Sequence, residues 1–185
     1  MSSELPLAPS TRATRTFRYA WFASLAAVGC AIDLVTKASV FSWLGQPDGK
    51  ENIYWLVKDY IGIETALNEG ALFGAFQGLG WLFCLMSFLA LAGIVYCLVS
   101  KRAIDDWLLT MTLGIITGGI LGNLYDRLGI WSRFQEFAVR DWIRFSYDYN
   151  RYVWPNFNVA DSLLVCGAAM LFWHFFRIET TEAAS

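Results

Sequence analysis

Two carboxylates, Asp141 and Asp161, are the side chains in this sequence with the most to do chemically. Asp161 closes the stretch Trp154-Pro155-Asn156-Phe157-Asn158-Val159-Ala160-Asp161 and stands at the mouth of an apolar run, residues 162–176. An ionisable side chain at the edge of such a run is expensive, and residues of this kind mark function. Asp141 lies in Val139-Arg140-Asp141-Trp142, just outside the apolar region. Two carboxyls brought close together do not both ionise easily, and they share a proton. The ionised one can then take a proton from water while the protonated one polarises a carbonyl. That is metal-free hydrolysis by activated water. By residue type alone each aspartate is more often a solvated loop residue or a helix cap. Position separates them from that reading: one stands at a helix start, the other in a segment that returns to it.

The elements that must position them are set by composition. The chain has 185 residues, of which 56% are hydrophobic and 16% charged. A soluble domain carries about a quarter charged residues. The apolar residues fall in four blocks, Trp21–Val40, Leu79–Val99, Trp107–Leu124 and Val159–Phe176. A membrane span takes about 20 apolar residues. Trp21, Trp81, Trp107 and Trp173 stand at block ends, as interfacial aromatics do. A soluble bundle of buried helices is the alternative, and four such runs in a small chain argue against it. Net charge is −2, which leaves no nucleic-acid footprint. Cys30, Cys84, Cys97 and Cys166 all lie inside the apolar blocks, with neither a disulfide framework nor metal spacing. Neither metal nor cofactor is expected.

Residues 1–18 read as a flexible polar tail with Arg12, Arg15 and Arg18, and 179–185 as a second tail. Between them, 19–178 form a single four-span domain. The arginines before an apolar run also resemble a signal peptide, and Leu25 to Cys30 a lipoprotein cleavage box. The run continues past Cys30 through Asp33 and Lys37, which a discarded leader does not need. The basic N-terminus, Lys101, Arg102 and Arg177 favour both termini in the cytoplasm. Segments 41–78 and 125–157 then face outward. The first holds short β-like runs, Asn52–Val57 and Tyr60–Leu67, and predicts a small surface sheet. The second is rich in Trp, Phe and Tyr and predicts a short amphipathic helix on the bilayer. Its arginines, Arg127, Arg133, Arg140, Arg144 and Arg151, go against the positive-inside count and need lipid phosphates or carboxylates as partners.

Other polar residues recur at block ends. Asp33 and Lys37 share one helical face, as an ion pair that positions helices or with a direct role. Asn68 and Gly70 suit a turn into the membrane, and the Asn68 amide can also donate to a substrate carbonyl. Gly114, Gly118 and Gly122 give the third span a small-residue face for close helix packing. Asn123, Asp126 and Arg127 follow at its end. Asp126 and Arg127 can pair with loop groups, and Arg127 alternatively meets a phosphate or a substrate carbonyl. Asn158, three residues before Asp161, caps the last span or faces the same site. His174 lies near the opposite end, and no serine or cysteine in the outer segments has a base beside it, which disfavours a covalent nucleophile.

Together, Asp33-x-x-Thr36-Lys37, Asn68-x-Gly70-Ala71, Gly118-Gly119-x-x-Gly122-Asn123-x-x-Asp126-Arg127, Val139-x-Asp141 and Phe157-Asn158-Val159-Ala160-Asp161 resemble the bacterial lipoprotein signal peptidase, or type II signal peptidase, family. The motifs occur in the family's order and span nearly the whole chain beyond the N-terminal tail. The resemblance implies an all-α polytopic fold with four transmembrane helices, a small extracytoplasmic sheet and a short surface helix. It implies an aspartyl endopeptidase of the bacterial inner membrane that cuts diacylglyceryl-modified prolipoproteins before the lipidated cysteine, at the outer face. Asp141 and Asp161 fall on the family's catalytic dyad. Asn68, Asn123, Arg127 and Asn158 fall on its polar site residues, and Asp33, Lys37 and Asp126 on supporting positions. Its partners are lipidated prolipoproteins and membrane lipids. One chain holds the whole dyad, so a monomer suffices.

The sequence departs from the family at Leu72, where a second Ala is usual, at Arg140 for an aliphatic residue and at Trp142 for Phe. Residues 146–153 are unusually rich in Tyr and Arg. Two rivals remain: an ion- or proton-coupled transporter, whose ionisable groups would spread across the membrane's depth, and a catalytically inactive membrane scaffold.

Overall fold

The computed structural model describes residues 12–49, 53–70, 78–100, 103–132 and 137–183, with side chains up to 177. Four α-helices and four β-strands alternate in the order α1 (Arg12–Leu44), β1 (Tyr54–Val57), β2 (Ile61–Asn68), α2 (Gly80–Val99), α3 (Trp107–Arg127), β3 (Val139–Tyr147), β4 (Tyr152–Phe157) and α4 (Val159–Ala183). All four helices are long and apolar enough to cross a membrane. The expected blocks lie inside them. Large apolar side chains on α2, among them Leu85, Phe88, Leu89 and Val99, face outward, as lipid-facing residues do.

Helix α3 is the centre of the bundle and packs against α1, α2 and α4. Its glycines make this possible. A methyl group at Gly118 would come within 3.0 Å of the Ala26 carbonyl of α1. One at Gly122 would collide with the Asp33 carboxylate. The small-residue face read from the sequence is therefore the α1 contact. Gly119, one step round the helix, does the same against the Ala160 carbonyl of α4.

Helix α1 is 33 residues long, about 50 Å at 1.5 Å per residue, well beyond a ~30 Å hydrocarbon layer. It starts at Arg12, so part of the segment expected as a flexible tail is helical. The extension packs over the 3-10 turn Ala103–Asp105 between α2 and α3. Arg15 makes two bonds to the Asp105 carboxylate, at 2.9 and 2.8 Å. Arg18 donates to the carbonyls of Ile104 and Asp105. Likewise, α4 runs on through Ala183.

The strands form one antiparallel sheet, β1-β2-β3-β4, at the end of the bundle where α1 and α3 stop and α4 begins. Its first two strands, Tyr54–Val57 and Ile61–Asn68, fall on the two β-like runs read from the sequence. The all-α description is corrected: the segment 125–157, where a surface helix was expected, holds the hairpin β3–β4, and no surface helix occurs among the described residues. Residues 133–136, and the 101–102 loop with its two basic residues, lie outside the described residues. The reason for the hairpin is local. Trp142, Phe145, Tyr147, Tyr152 and Trp154 are strong strand formers. Asp148, Tyr149 and Asn150 then turn the chain with φ of 54°, 52° and 66°. Asp and Asn take this left-handed region more readily than most residues.

Candidate active site

The sheet and the N-terminus of α4 bring the two aspartates together. Asp141 sits on β3 opposite Ala66 of β2, and Asn68 lies opposite Val139. That puts Asn68 diagonally across from Asp141 on one face of the sheet. Its Nδ2 donates to Asp141 Oδ2 at 3.1 Å. Its Oδ1 accepts the Gly70 N–H at 3.0 Å, which fixes which way the amide points. Asn68 thus makes a local turn bond, and its amide N–H is aimed at Asp141.

Asp161 is held by helix capping. Asn158 precedes α4, and its Oδ1 accepts the Asp161 N–H at 2.9 Å while Asp161 Oδ2 accepts the Asn158 N–H at 3.1 Å. This reciprocal pair is a capping box. The same Asn158 turns its Nδ2 to Asp141 Oδ1, at 2.6 Å, and to Asn123 Oδ1, at 3.2 Å. One buried asparagine therefore touches both carboxylates. Asn123, on α3, donates to Asp161 Oδ1 at 2.8 Å and accepts from Lys37 Nζ at 3.0 Å.

Beneath this lies an ionic cluster. Lys37 is fully buried and lies 2.7 Å from Asp33, 3.1 Å from Asp126 and 3.0 Å from Asn123 Oδ1. An ammonium has three N–H donors, and each meets an acceptor. Asp33 also accepts the Ala160 N–H of α4 at 2.9 Å. Asp126 accepts the Arg140 backbone N–H at 3.0 Å and two guanidinium bonds at 3.0 and 2.6 Å. Asp33, Lys37, Asp126 and Arg140 form a neutral set, which is how buried charges persist in an apolar setting. The Arg140 guanidinium also lies 4.7 Å from the Trp131 ring.

Arg140 is the residue sequence reasoning missed. It appeared as a departure from an aliphatic position, and its partner is 14 residues away on another element. The general signal was present: the arginines of 125–157 needed carboxylates or phosphates. Arg140 has Asp126, Arg144 has Glu64 at 2.5 Å, and Arg151 has Asp148 at 3.6 Å. Arg127 is different. Its guanidinium lies 4.9 Å from the Phe83 ring, reaches the Gly70 carbonyl only at 3.5 Å and has a buried, unpartnered Nε. His174, at the far end of α4, lies 3.8 Å from Asp106 and away from the aspartates.

Asp141 is 1% exposed. Burial, then the neighbouring Asp161 charge, push its carboxyl up to about 7, against the hydrogen bonds from Asn68 and Asn158. Asp161 opens onto a cleft of about 1210 Å³ between α2, α3, α4 and the β3–β4 hairpin, with Asp141 buried behind it. Asn68, Asn123, Arg127 and Asp161 line its polar end. Phe83, Met86, Ile120, Leu164 and Val165 line an apolar wall. The site thus offers two neighbouring carboxyls, fixed amides and apolar surface.

Residues 25–177 match the family described as Signal peptidase (SPase) II. A lipoprotein signal peptidase of Rhodopirellula baltica is 46% identical over 172 residues, covering 90% of this chain and 76% of that protein. One from Symbiobacterium thermophilum is 32% identical over 160 residues, covering 86% and 97%. A solved bacterial membrane enzyme shares the fold, with a TM-score of 0.72 at 21% identity over 94% of this chain and 93% of that one. With the family match spanning most of its length and a relative this similar, the chain belongs to the lipoprotein signal peptidase family, the signal peptidases II.

Proposed function

We propose that this protein removes the signal peptide from diacylglyceryl-modified prolipoproteins, cutting before the lipidated cysteine with water activated by Asp141 and Asp161. The observation that carries this reading is the single asparagine, Asn158, bonded to both carboxylates at the polar end of an apolar cleft. The two carboxyls hold one proton between them. Burial makes Asp141 the harder to ionise, so it keeps the proton and donates to the scissile carbonyl. Asp161 lies in the first turn of α4, where the helix dipole favours an anion, and takes the proton of the attacking water. Collapse of the tetrahedral intermediate returns a proton to the leaving amine.

Asn68, Asn123 and Asn158 hold the dyad, and Arg127, with donors to spare, receives a substrate carbonyl. The apolar wall takes the acyl chains, each buried methylene contributing about 0.8 kcal/mol. Asp33, Lys37 and Asp126 support the site through the ionic cluster. The site lies at the outer leaflet of the cytoplasmic membrane with both termini inside, supported by Arg12, Arg15 and Arg18 at the other end of α1. The transporter reading fits less well, because the buried charges neutralise one another in one cluster rather than forming a path.

The test uses the full chain in detergent with a lipidated prolipoprotein, following product on a gel. Wild type should cut, and Asp141→Asn and Asp161→Asn, each folded, should not. Cutting near the wild-type rate by either variant removes that residue from the dyad.

A further inference from the structure

We propose that the turn of the β3–β4 hairpin is a membrane anchor: its exposed tyrosines sit among the phospholipid headgroups of the leaflet that borders the sheet. The anchor depends on the membrane-spanning fold and not on the peptidase reading.

The hairpin is built the wrong way round for water. In a sheet with one face in water, apolar side chains point to the core and polar ones outward. Here Arg144 of β3 is buried, 2.5 Å from Glu64 of β2 and 3.0 Å from Asn150 of the turn. Glu64 also accepts from Asn156 of β4 at 3.0 Å. The rings are outside instead. Tyr147 is 71% exposed and Tyr149 76%, and Tyr152 and Val153 are exposed beside them. A contiguous exposed apolar surface of this kind marks a contact site. The rings are also prearranged. Tyr147 and Tyr152 stack with centroids 6.5 Å apart, and Tyr149 lies 6.0 Å from Tyr60, just before β2. Prearranged groups lose less freedom on binding.

Three features select lipid as the occupant. A tyrosine carries an apolar ring and a polar tip, the combination enriched where hydrocarbon meets water. The charges at the turn cancel, since Arg151 lies 3.6 Å from Asp148, so attraction rests on the rings. The third is continuity with the lipid-facing surface of the spans. Tyr147, Tyr152 and Val153 line the same cleft as Met86 of α2 and Val165 of α4, both exposed on membrane-spanning helices. Those two stand six residues into their helices, about 9 Å at 1.5 Å per residue. The turn itself stays at headgroup level, because hydrocarbon does not tolerate its irregular backbone.

The anchor bears on the site through the strands. Tyr147 is six positions beyond Asp141 on β3, about 20 Å at ~3.3 Å each. β4 then returns to Asn158 and Asp161. Both strands lead from the turn to a carboxylate, so fixing the turn at the bilayer surface fixes the height of the two aspartates relative to it.

The test is photolabelling of the full wild-type chain in phosphatidylcholine vesicles. One phospholipid probe carries a diazirine in its headgroup, the other near the end of an acyl chain. The headgroup probe should label Tyr147, Tyr149 or Tyr152, together with Trp43 and Trp81 at span ends. The chain-end probe should label the hairpin at least tenfold less. No headgroup labelling of the hairpin while Trp43 is labelled overturns the proposal, as does equal labelling by both probes. Replacing about a third of the lipid by phosphatidylglycerol should change hairpin labelling less than twofold. A rise of fivefold or more would assign the contact to charge and overturn attachment by the rings. Tyr147→Ser combined with Tyr149→Ser should cut labelling at Tyr152 at least fivefold and leave Trp43 within twofold. Unchanged labelling at Tyr152 overturns the role of those rings. None of these readings needs cleavage, so failure of the peptidase reading leaves them intact.

Discussion

The Asp33 carboxylate of α1 accepts the backbone N–H of Ala160, in the first turn of α4, at 2.9 Å across 127 residues of chain. One side chain thus caps one helix from another while its second oxygen pairs with Lys37. Asp33→Ala leaves Lys37 with less compensation in a fully buried site. Breaking one partner of a buried pair costs about 3–5 kcal/mol. The expected result is a large fall in detergent melting temperature, with cleavage lost in proportion to folded protein. An unchanged melting temperature would remove Asp33 from the supporting cluster.

Asn158→Ala deletes the bonds to Asp141, Asn123 and the Asp161 N–H together. Losing a helix cap costs about 0.5–2 kcal/mol. That leaves most of the protein folded, so the larger effect falls on chemistry. We expect kcat to drop about a hundredfold or more with a small change in melting temperature. A drop in kcat no greater than the loss of folded protein would reduce Asn158 to a cap.

Arg140→Met leaves Asp126 facing Lys37 alone, in a cluster then carrying net charge. The cost should again be about 3–5 kcal/mol by the same argument, read as the shift in unfolding midpoint. Arg140→Lys should recover only part, since a lysine cannot reproduce the two guanidinium bonds to one oxygen. Full recovery by lysine would show that charge alone matters.

The raised carboxyl of Asp141 has two consequences for pH. For activity, the shared proton leaves as pH rises through about 7, so kcat/KM should fall on the alkaline side there. For stability, a folded value above the ordinary 3.8 means that the folded protein holds this proton more tightly than the unfolded chain. The associated stabilisation is complete below about 4 and is lost as pH climbs through about 7. Asp141→Asn should therefore melt with less dependence on pH than wild type between 5 and 8. Equal slopes would place the raised group elsewhere.

Much of this site was readable because its signals are local. Asn158 and Asp161 are three apart, which is capping-box spacing, and Asp33 and Lys37 are one helical turn apart. The four spans follow from apolar run length. The hairpin β3–β4 was not readable, because its aromatic residues suit a bilayer-surface helix as well as a strand until β2 supplies a partner. Arg140 was not readable because its meaning depends on Asp126, brought to it by the fold. The sequence showed that the arginines of 125–157 required anions; only packing decides which anion each one finds.

The ionic cluster also bears on how the protein is made. Ribosomes deliver α1 first, with Asp33 and Lys37 already in its apolar stretch. Asp126 arrives with α3, Arg140 with β3, and the Ala160 N–H only with the last helix. Until then the early helix carries polar groups whose final partners do not yet exist. A chain that stops short of α4 lacks the Ala160 N–H and leaves that Asp33 oxygen without it.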